Sequence, residues 1–278
     1  MAGWFGHRRL QKDKMNLQIR HAYLTDKGIR PINQDFVQVM SEAENRAGYD
    51  VEHCGALFAV ADGVGGHQAG EIASRMACEG LAPYYADARA RDAATRQIVL
   101  QEVFAAINRA VFPKSVSANE FFMMGTTLTV LVLSDENSGT AHIAHIGDSR
   151  VYRLRGDELA LLTRDHTEVQ ELVDRGELTL EQAKTYERSQ WLTEAIGAEP
   201  ELENLYERLE PAQPGDRYLL CTDGLSNHVS DEQMKHILRA TTPAQACEEL
   251  LQQALKAGST DNLTALVIHL PPTPRSTR

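Results

Sequence analysis

Three aspartates, each at the end of an apolar run, constrain this chain more than any other feature. Asp62 stands in Ala56-Leu-Phe-Ala-Val-Ala-Asp-Gly-Val-Gly-Gly-His67, Asp223 in Tyr218-Leu-Leu-Cys-Thr-Asp-Gly224, and Asp261 in Ser259-Thr-Asp-Asn-Leu-Thr264. Each segment reads as a buried strand that delivers an unpaired carboxylate to a turn. Like charges buried near one another are costly unless a cation neutralises them. The pattern therefore predicts a metal centre, and an all-oxygen donor set selects a hard ion, Mg²⁺ or Mn²⁺, over zinc.

A chain of 278 residues, 42% hydrophobic and 24% charged, has the length and apolar content for one sizeable core. Its formal net charge of −11 argues against a nucleic-acid partner, which would need a basic patch. Cys54, Cys78, Cys221 and Cys247 lie far apart and form no CxxC pair, so neither zinc nor a disulfide framework is indicated. Cys78 and Cys247 fall on apolar helix stripes and Cys221 in an apolar strand, which suits core packing in a reducing compartment. No apolar run approaches the ~18 residues of a membrane span. The opening Met1-Ala-Gly-Trp-Phe-Gly-His-Arg-Arg9 has too short an apolar stretch for a signal peptide. The expectation is a cytoplasmic protein without membrane insertion. It would have a basic extension over 1–15, a single domain over 16–270 and a flexible, Pro-rich tail over 271–278.

Strands are expected at 17–24, 36–40, 56–61, 126–133, 141–146, 151–154, 159–162, 217–221 and 263–270, with Arg155-Gly-Asp-Glu158 as a hairpin turn. Helical periodicity runs from Ala69 to Leu81 and from Val99 to Ala110, where Pro113 is expected to end the helix. Four more helices open with capping boxes at Thr167, Thr179, Ser230 and Thr242. Strands come in hairpin-joined runs and helices in pairs, so the class is α+β rather than a parallel βα alternation. An antiparallel β-sandwich of two sheets, flanked on both outer faces by helix pairs, would bury every apolar face. That is a four-layer αββα architecture.

Other motifs are ambiguous when taken singly. In Thr25-Asp-Lys-Gly-Ile-Arg-Pro-Ile-Asn-Gln-Asp35, Arg30 is a candidate phosphate fork or merely an exposed arginine after a glycine turn. Asp35 is a further candidate ligand, direct or through water. Asp148 in Gly147-Asp-Ser-Arg150 is either another ligand or the partner of Arg150. His142 and His145 point to opposite faces of an extended strand and read as structural.

Together these residues resemble the metal-dependent serine/threonine protein phosphatase family, the type 2C class, in its compact bacterial form. The resemblance spans about Ile19 to Leu270. It rests on Thr25-Asp-x-Gly-x-x-Arg-x-x-Asn-x-Asp35, Asp62-Gly-x-Gly-Gly-His67, Gly125-Thr-Thr127, Gly147-Asp-Ser-Arg150, Asp223-Gly224 and Asp261-Asn262. It implies a two-metal site of Mn²⁺ or Mg²⁺. Asp62 would bridge both ions, the Gly63 carbonyl would serve one, and Asp223 and Asp261 the other. Asp35 would act through water, and a third ion would fall between Asp148 and Asp223. Arg30 would clamp the substrate phosphate, and His67 would protonate the leaving serine or threonine oxygen. A flap would occupy about 165–200. Two departures stand out: Gln34 where many relatives carry Glu, and Glu187-Arg-Ser-Gln-Trp-Leu192 where an Arg-Asn pair is common.

The implied function is hydrolysis of phosphoserine and phosphothreonine by direct attack of a metal-bridging hydroxide. The partners would be phosphorylated proteins, among them a bacterial serine/threonine kinase whose action it opposes, and the protein would act as a monomer. The alternative is a catalytically silent phosphoprotein- or kinase-binding scaffold on the same fold, which would be expected to have lost metal aspartates. A hydrolase of small phosphorylated metabolites is a third reading.

Overall fold

The computed structural model describes residues 18–45, 47–65, 69–116, 124–135, 139–183, 185–186 and 191–272. The extension over 1–15, His67, the flap segment 187–190 and residues 273–278 of the tail lie outside the described residues. Side-chain alternation explains the layering. In β10 (Arg217–Cys221) and β11 (Leu263–His269), Leu220, Leu266 and Ile268 join one buried cluster, and Leu219, Cys221, Ala265 and Val267 join another. Strands that are apolar on both faces must be covered on both.

The first sheet runs β1 (Arg20–Asp26), β11, β10, β7 (Arg150–Arg155) and β8 (Glu158–Leu161). The second runs β2 (Asp35–Met40), β3 (Ala56–Val64), β5 (Leu128–Ser134), β6 (Thr140–Ile146) and β9 (Tyr206–Pro211). The two-residue β4 (Gly125–Thr126) pairs with the end of β3. All neighbours are antiparallel. Helices α7 (Asp231–Ala240) and α8 (Pro243–Lys256) bury Met234, Ile237, Leu250 and Leu251 against the first sheet. Helices α2 (Ala69–Glu79) and α3 (Ala93–Ser115) bury Ala73, Ala77, Phe104 and Ile107 on the second. Short helices α1 (Val51–Cys54), α4 (Glu168–Asp174), α5 (Leu180–Ala183) and α6 (Asp223–Ser226) fill connections. The expected four-layer α+β sandwich is the fold. No helix among the described residues is long and apolar enough to cross a membrane.

The caps behave as their sequences predict. Ser230 with Gln233, and Thr242 with Gln245, form full capping boxes, Thr179 and Gln182 exchange both bonds, and Thr167 accepts from the Gln170 N–H. Three expectations need correction. Pro113 does not end its helix, which starts early at the Asp92 cap and continues to Ser115. A proline in the last turn forfeits a single backbone bond, and the Ser115 hydroxyl anchors that turn by donating to the Gly197 carbonyl at 2.7 Å. Strand β9 went unpredicted because Tyr206-Glu-Arg-Leu-Glu-Pro211 is charged and half-exposed, the composition of an edge strand ending in proline. Finally, Asp261 stands at the entry to its strand, two residues before β11, whereas Asp62 and Asp223 stand at strand exits.

Candidate active site

Antiparallel pairing makes a carboxylate pair at once, because Asp35 of β2 lies directly opposite Asp62 of β3. Asp223 follows β10 as the first residue of α6, and Asp261 precedes β11, the antiparallel neighbour of β10, so both come to one end of the first sheet. The Asp62 backbone is fixed on both sides. Its N–H donates to the Thr127 hydroxyl at 2.8 Å, and its carbonyl accepts from the Thr127 N–H and the Thr126 hydroxyl, both at 2.9 Å. The Thr127 hydroxyl in turn meets that of Ser149 at 2.8 Å, tying this strand end to the Gly147-Asp-Ser149 segment. The Asp223 and Asp261 loops approach so closely that a Cβ on Gly224 would lie 2.0 Å from the Asn262 carbonyl oxygen. Gly63 follows Asp62, and its N–H donates to the Gln34 carbonyl at 3.1 Å.

The cluster is electrostatically unfavourable as it stands. Burial lifts the Asp62 carboxyl well above the usual range, and Asp35, Asp223, Asp148 and Asp261 lift it further. Burial and then Asp261 raise Asp223; burial and then Asp223 and Asp165 raise Asp148. Asp35 is pushed up to about 7, chiefly by burial. The Thr264 and Thr222 hydroxyls oppose that shift by donating to its Oδ2 at 2.6 and 2.8 Å. Its Oδ1 is buried without a hydrogen-bond partner.

These groups fit hard divalent cations: oxygen donors only, a surplus of negative charge and an orphaned carboxylate oxygen. No three His, Cys, Asp or Glu side chains among the described residues close into a cage for a single ion. Mg²⁺ does not require one, since it keeps several waters and takes one or two carboxylates.

Two guanidinium groups border the cluster. Arg30 donates through Nη2 to Asp261 Oδ2 at 2.7 Å, and both side chains are substantially exposed. Arg150 is not the ion-pair partner of Asp148. It forks onto Asp165, through Nε at 3.0 and 3.1 Å and Nη2 at 2.6 Å, while its charge still pulls the Asp148 pKa down against the larger raising effects. His142 and His145 are buried in β6, and the His145 ring accepts or donates at Thr129 Oγ1, as structural residues should. All four cysteines are free and buried. Burial pushes the Cys221 thiol, two residues from Asp223, up to about 12, so it is no nucleophile at neutral pH.

From sequence, Thr126, Thr127 and Asn262 stand out only as members of motifs, and Thr222 and Thr264 not at all, yet these are the residues that orient the carboxylates. A faint signal existed: hydroxyl and amide side chains at the very ends of otherwise apolar strands.

Comparison with known proteins extends this picture. The family model for protein phosphatase 2C matches residues 33–264. The chain is 36% identical over 259 residues to the serine/threonine protein phosphatase PstP of Mycobacterium tuberculosis, covering 91% of this chain but only 45% of PstP. It is 33% identical over 249 residues to the serine/threonine phosphatase stp of Listeria monocytogenes, covering 88% of this chain and 94% of that protein. A crystal structure of the PstP catalytic domain in complex with two manganese ions superposes with a TM-score of 0.73 at 34% identity, over 91% of this chain and 98% of that one.

Proposed function

Because the chain belongs to the protein phosphatase 2C family, we propose that it is a metal-dependent phosphatase that hydrolyses phosphoserine and phosphothreonine in proteins. The observation that carries this reading is the convergence of buried Asp35 and Asp148 with partly buried Asp62 and Asp223, whose desolvation and mutual repulsion outweigh the pull of Arg150. Two ions, Mn²⁺ or Mg²⁺, with a third beside Asp148 and Asp223, would supply an activated water for direct attack on phosphorus and offset charge on the phosphoryl oxygens.

The chain's own residues divide the remaining work. Asp62, Asp223 and Asp261 would hold the ions, with the Gly63 carbonyl and Asp35 in support. Arg30, at the half-exposed rim, exchanges Asp261 for the substrate phosphate, since a guanidinium matches phosphate oxygens as well as it matches a carboxylate. His67 donates the proton to the leaving oxygen. No covalent intermediate is involved, in keeping with thiols held protonated by burial. Residues 16–270 act as one domain, as a monomer, on phosphoproteins that include a serine/threonine kinase whose action it reverses.

The test is hydrolysis of p-nitrophenyl phosphate and a phosphothreonine peptide, with Mn²⁺, with Mg²⁺ and with excess EDTA. Turnover should require the metal, and undiminished turnover in EDTA refutes the reading. Tight phosphopeptide binding without turnover in saturating Mn²⁺ would instead identify a silent scaffold.

A further inference from the structure

The turn that carries Arg30 is fastened from 230 residues away. The buried side chain of Asn262 donates through Nδ2 to the carbonyls of Lys27 and Ile32, both at 3.0 Å, and accepts at Oδ1 from the Gln34 N–H at 2.8 Å. One amide therefore satisfies three main-chain groups on both sides of Arg30. The Asn262 N–H donates to Asp261 Oδ1 at 2.8 Å, while Asp261 Oδ2 accepts from Arg30. The turn also rests directly on the Asp261 backbone: Gly28 has φ +58°, and a Cβ there would lie 2.3 Å from the Asp261 carbonyl oxygen. Arginine is long and rotamer-rich, so the position of its guanidinium depends on where its own backbone is held.

We propose that Asn262 is a positioning residue that sets the separation between the Arg30 guanidinium and the carboxylate of Asp261. A phosphate that replaces Asp261 on Arg30 then meets the metal-binding end of the molecule with the turn already in place. This rests on the reading of the site as a phosphatase. Arg30 is the group that touches substrate; Asn262 acts through it.

The experiment uses the full chain with Mn²⁺ and p-nitrophenyl phosphate, with inorganic phosphate as the competing ligand. Asn262→Ala should raise KM and the phosphate inhibition constant about tenfold, the worth of one charge-assisted hydrogen bond, and leave kcat within about threefold. Gly28→Ala, which pushes the same turn off Asp261, should reproduce that split and keeps the test alive where Asn262→Ala fails to fold. The double variant Arg30→Ala/Asn262→Ala should be no worse for phosphate than Arg30→Ala alone, because removing one end of a coupled pair removes the coupling. Calorimetric Mn²⁺ affinity should stay within about twofold of wild type. A merely structural amide would lower thermal stability with KM unchanged, or give additive effects, and either result overturns the proposal. A joint fall of kcat and Mn²⁺ affinity also overturns it, by assigning Asn262 to Asp261 instead. Wild-type protein that neither turns over nor binds phosphate sinks the phosphatase reading and this inference with it.

Discussion

The two ends of strand β10 carry aspartates, Asp216 buried and Asp223 partly buried, that are treated in opposite ways. At its start, Asp216 is 1% exposed, and Arg155 forks onto it through Nε and Nη2, both at 2.7 Å. The Gln213 N–H at 2.8 Å and the Tyr218 hydroxyl at 3.3 Å complete its shell. Beyond its exit, Asp223 faces Asp62 and Asp261 and has no such fork. The same fold, within one strand, can neutralise a buried carboxylate with its own arginine, and at the other end it does not. The missing countercharge is therefore specific to the site, as expected where an external cation supplies it.

Substitutions at the two ends should separate cleanly. The largest effect is on activity: Asp223→Ala or Asp62→Ala should reduce Mn²⁺-dependent turnover at least ~10³-fold, since in the proposed mechanism the attacking water depends on ions that these carboxylates would hold. In EDTA the same variants should melt no lower than wild type, because each removes a repelling charge. Turnover within tenfold of wild type would erase the distinction.

Asp216→Ala should show the converse. It removes the buried acceptor of the Arg155 fork, the Gln213 N–H and the Tyr218 hydroxyl, and should cost about 3–5 kcal/mol in urea unfolding, with turnover per folded molecule preserved. If it is as stable as wild type, the two ends do not differ as described.

A pH series on the metal-free protein sharpens the contrast. Asp35 has a folded pKa of about 7 against an ordinary 3.8, so between these values the folded state holds more protons than the unfolded. Stability in EDTA should therefore fall as pH rises from about 4 to 7, by on the order of 2–4 kcal/mol, and Asp35→Asn should flatten that slope. A slope of opposite sign in wild type would count against the assignment.

The smallest of these effects is the gain on adding metal. Mn²⁺ at a hundredfold over its Kd should stabilise wild type by about 2.7 kcal/mol in a thermal melt and leave Asp223→Ala nearly unmoved.

The features legible in the sequence were those with a local signature. Apolar runs ending at Asp62 and Asp223, capping residues spaced three apart and the Arg155-Gly-Asp-Glu158 turn all lie within a few residues of what they control. What escaped was set at long range. The Asp35–Thr264 bond joins residues 229 apart, and nothing near either one announces the other. Arg150 had a neighbour in Asp148 and a partner in Asp165, and only the geometry of the fold chooses the second. Strand β9 is defined by pairing with β6 along an exposed edge, so its own composition resembles a loop.

The Asp35–Asp62 pair belongs to one sheet, while Asp223 and Asp261 belong to the other. Sheets stack about 10 Å apart at a distance set by the side chains between them. Leu220 and Leu266, wholly enclosed in that interlayer, act in effect as shims between the two carboxylate pairs. Swapping either for a bulkier or slimmer residue would retune the spacing between the two carboxylate pairs, so interior variants far from either pair would read in an activity assay as lesions of chemistry.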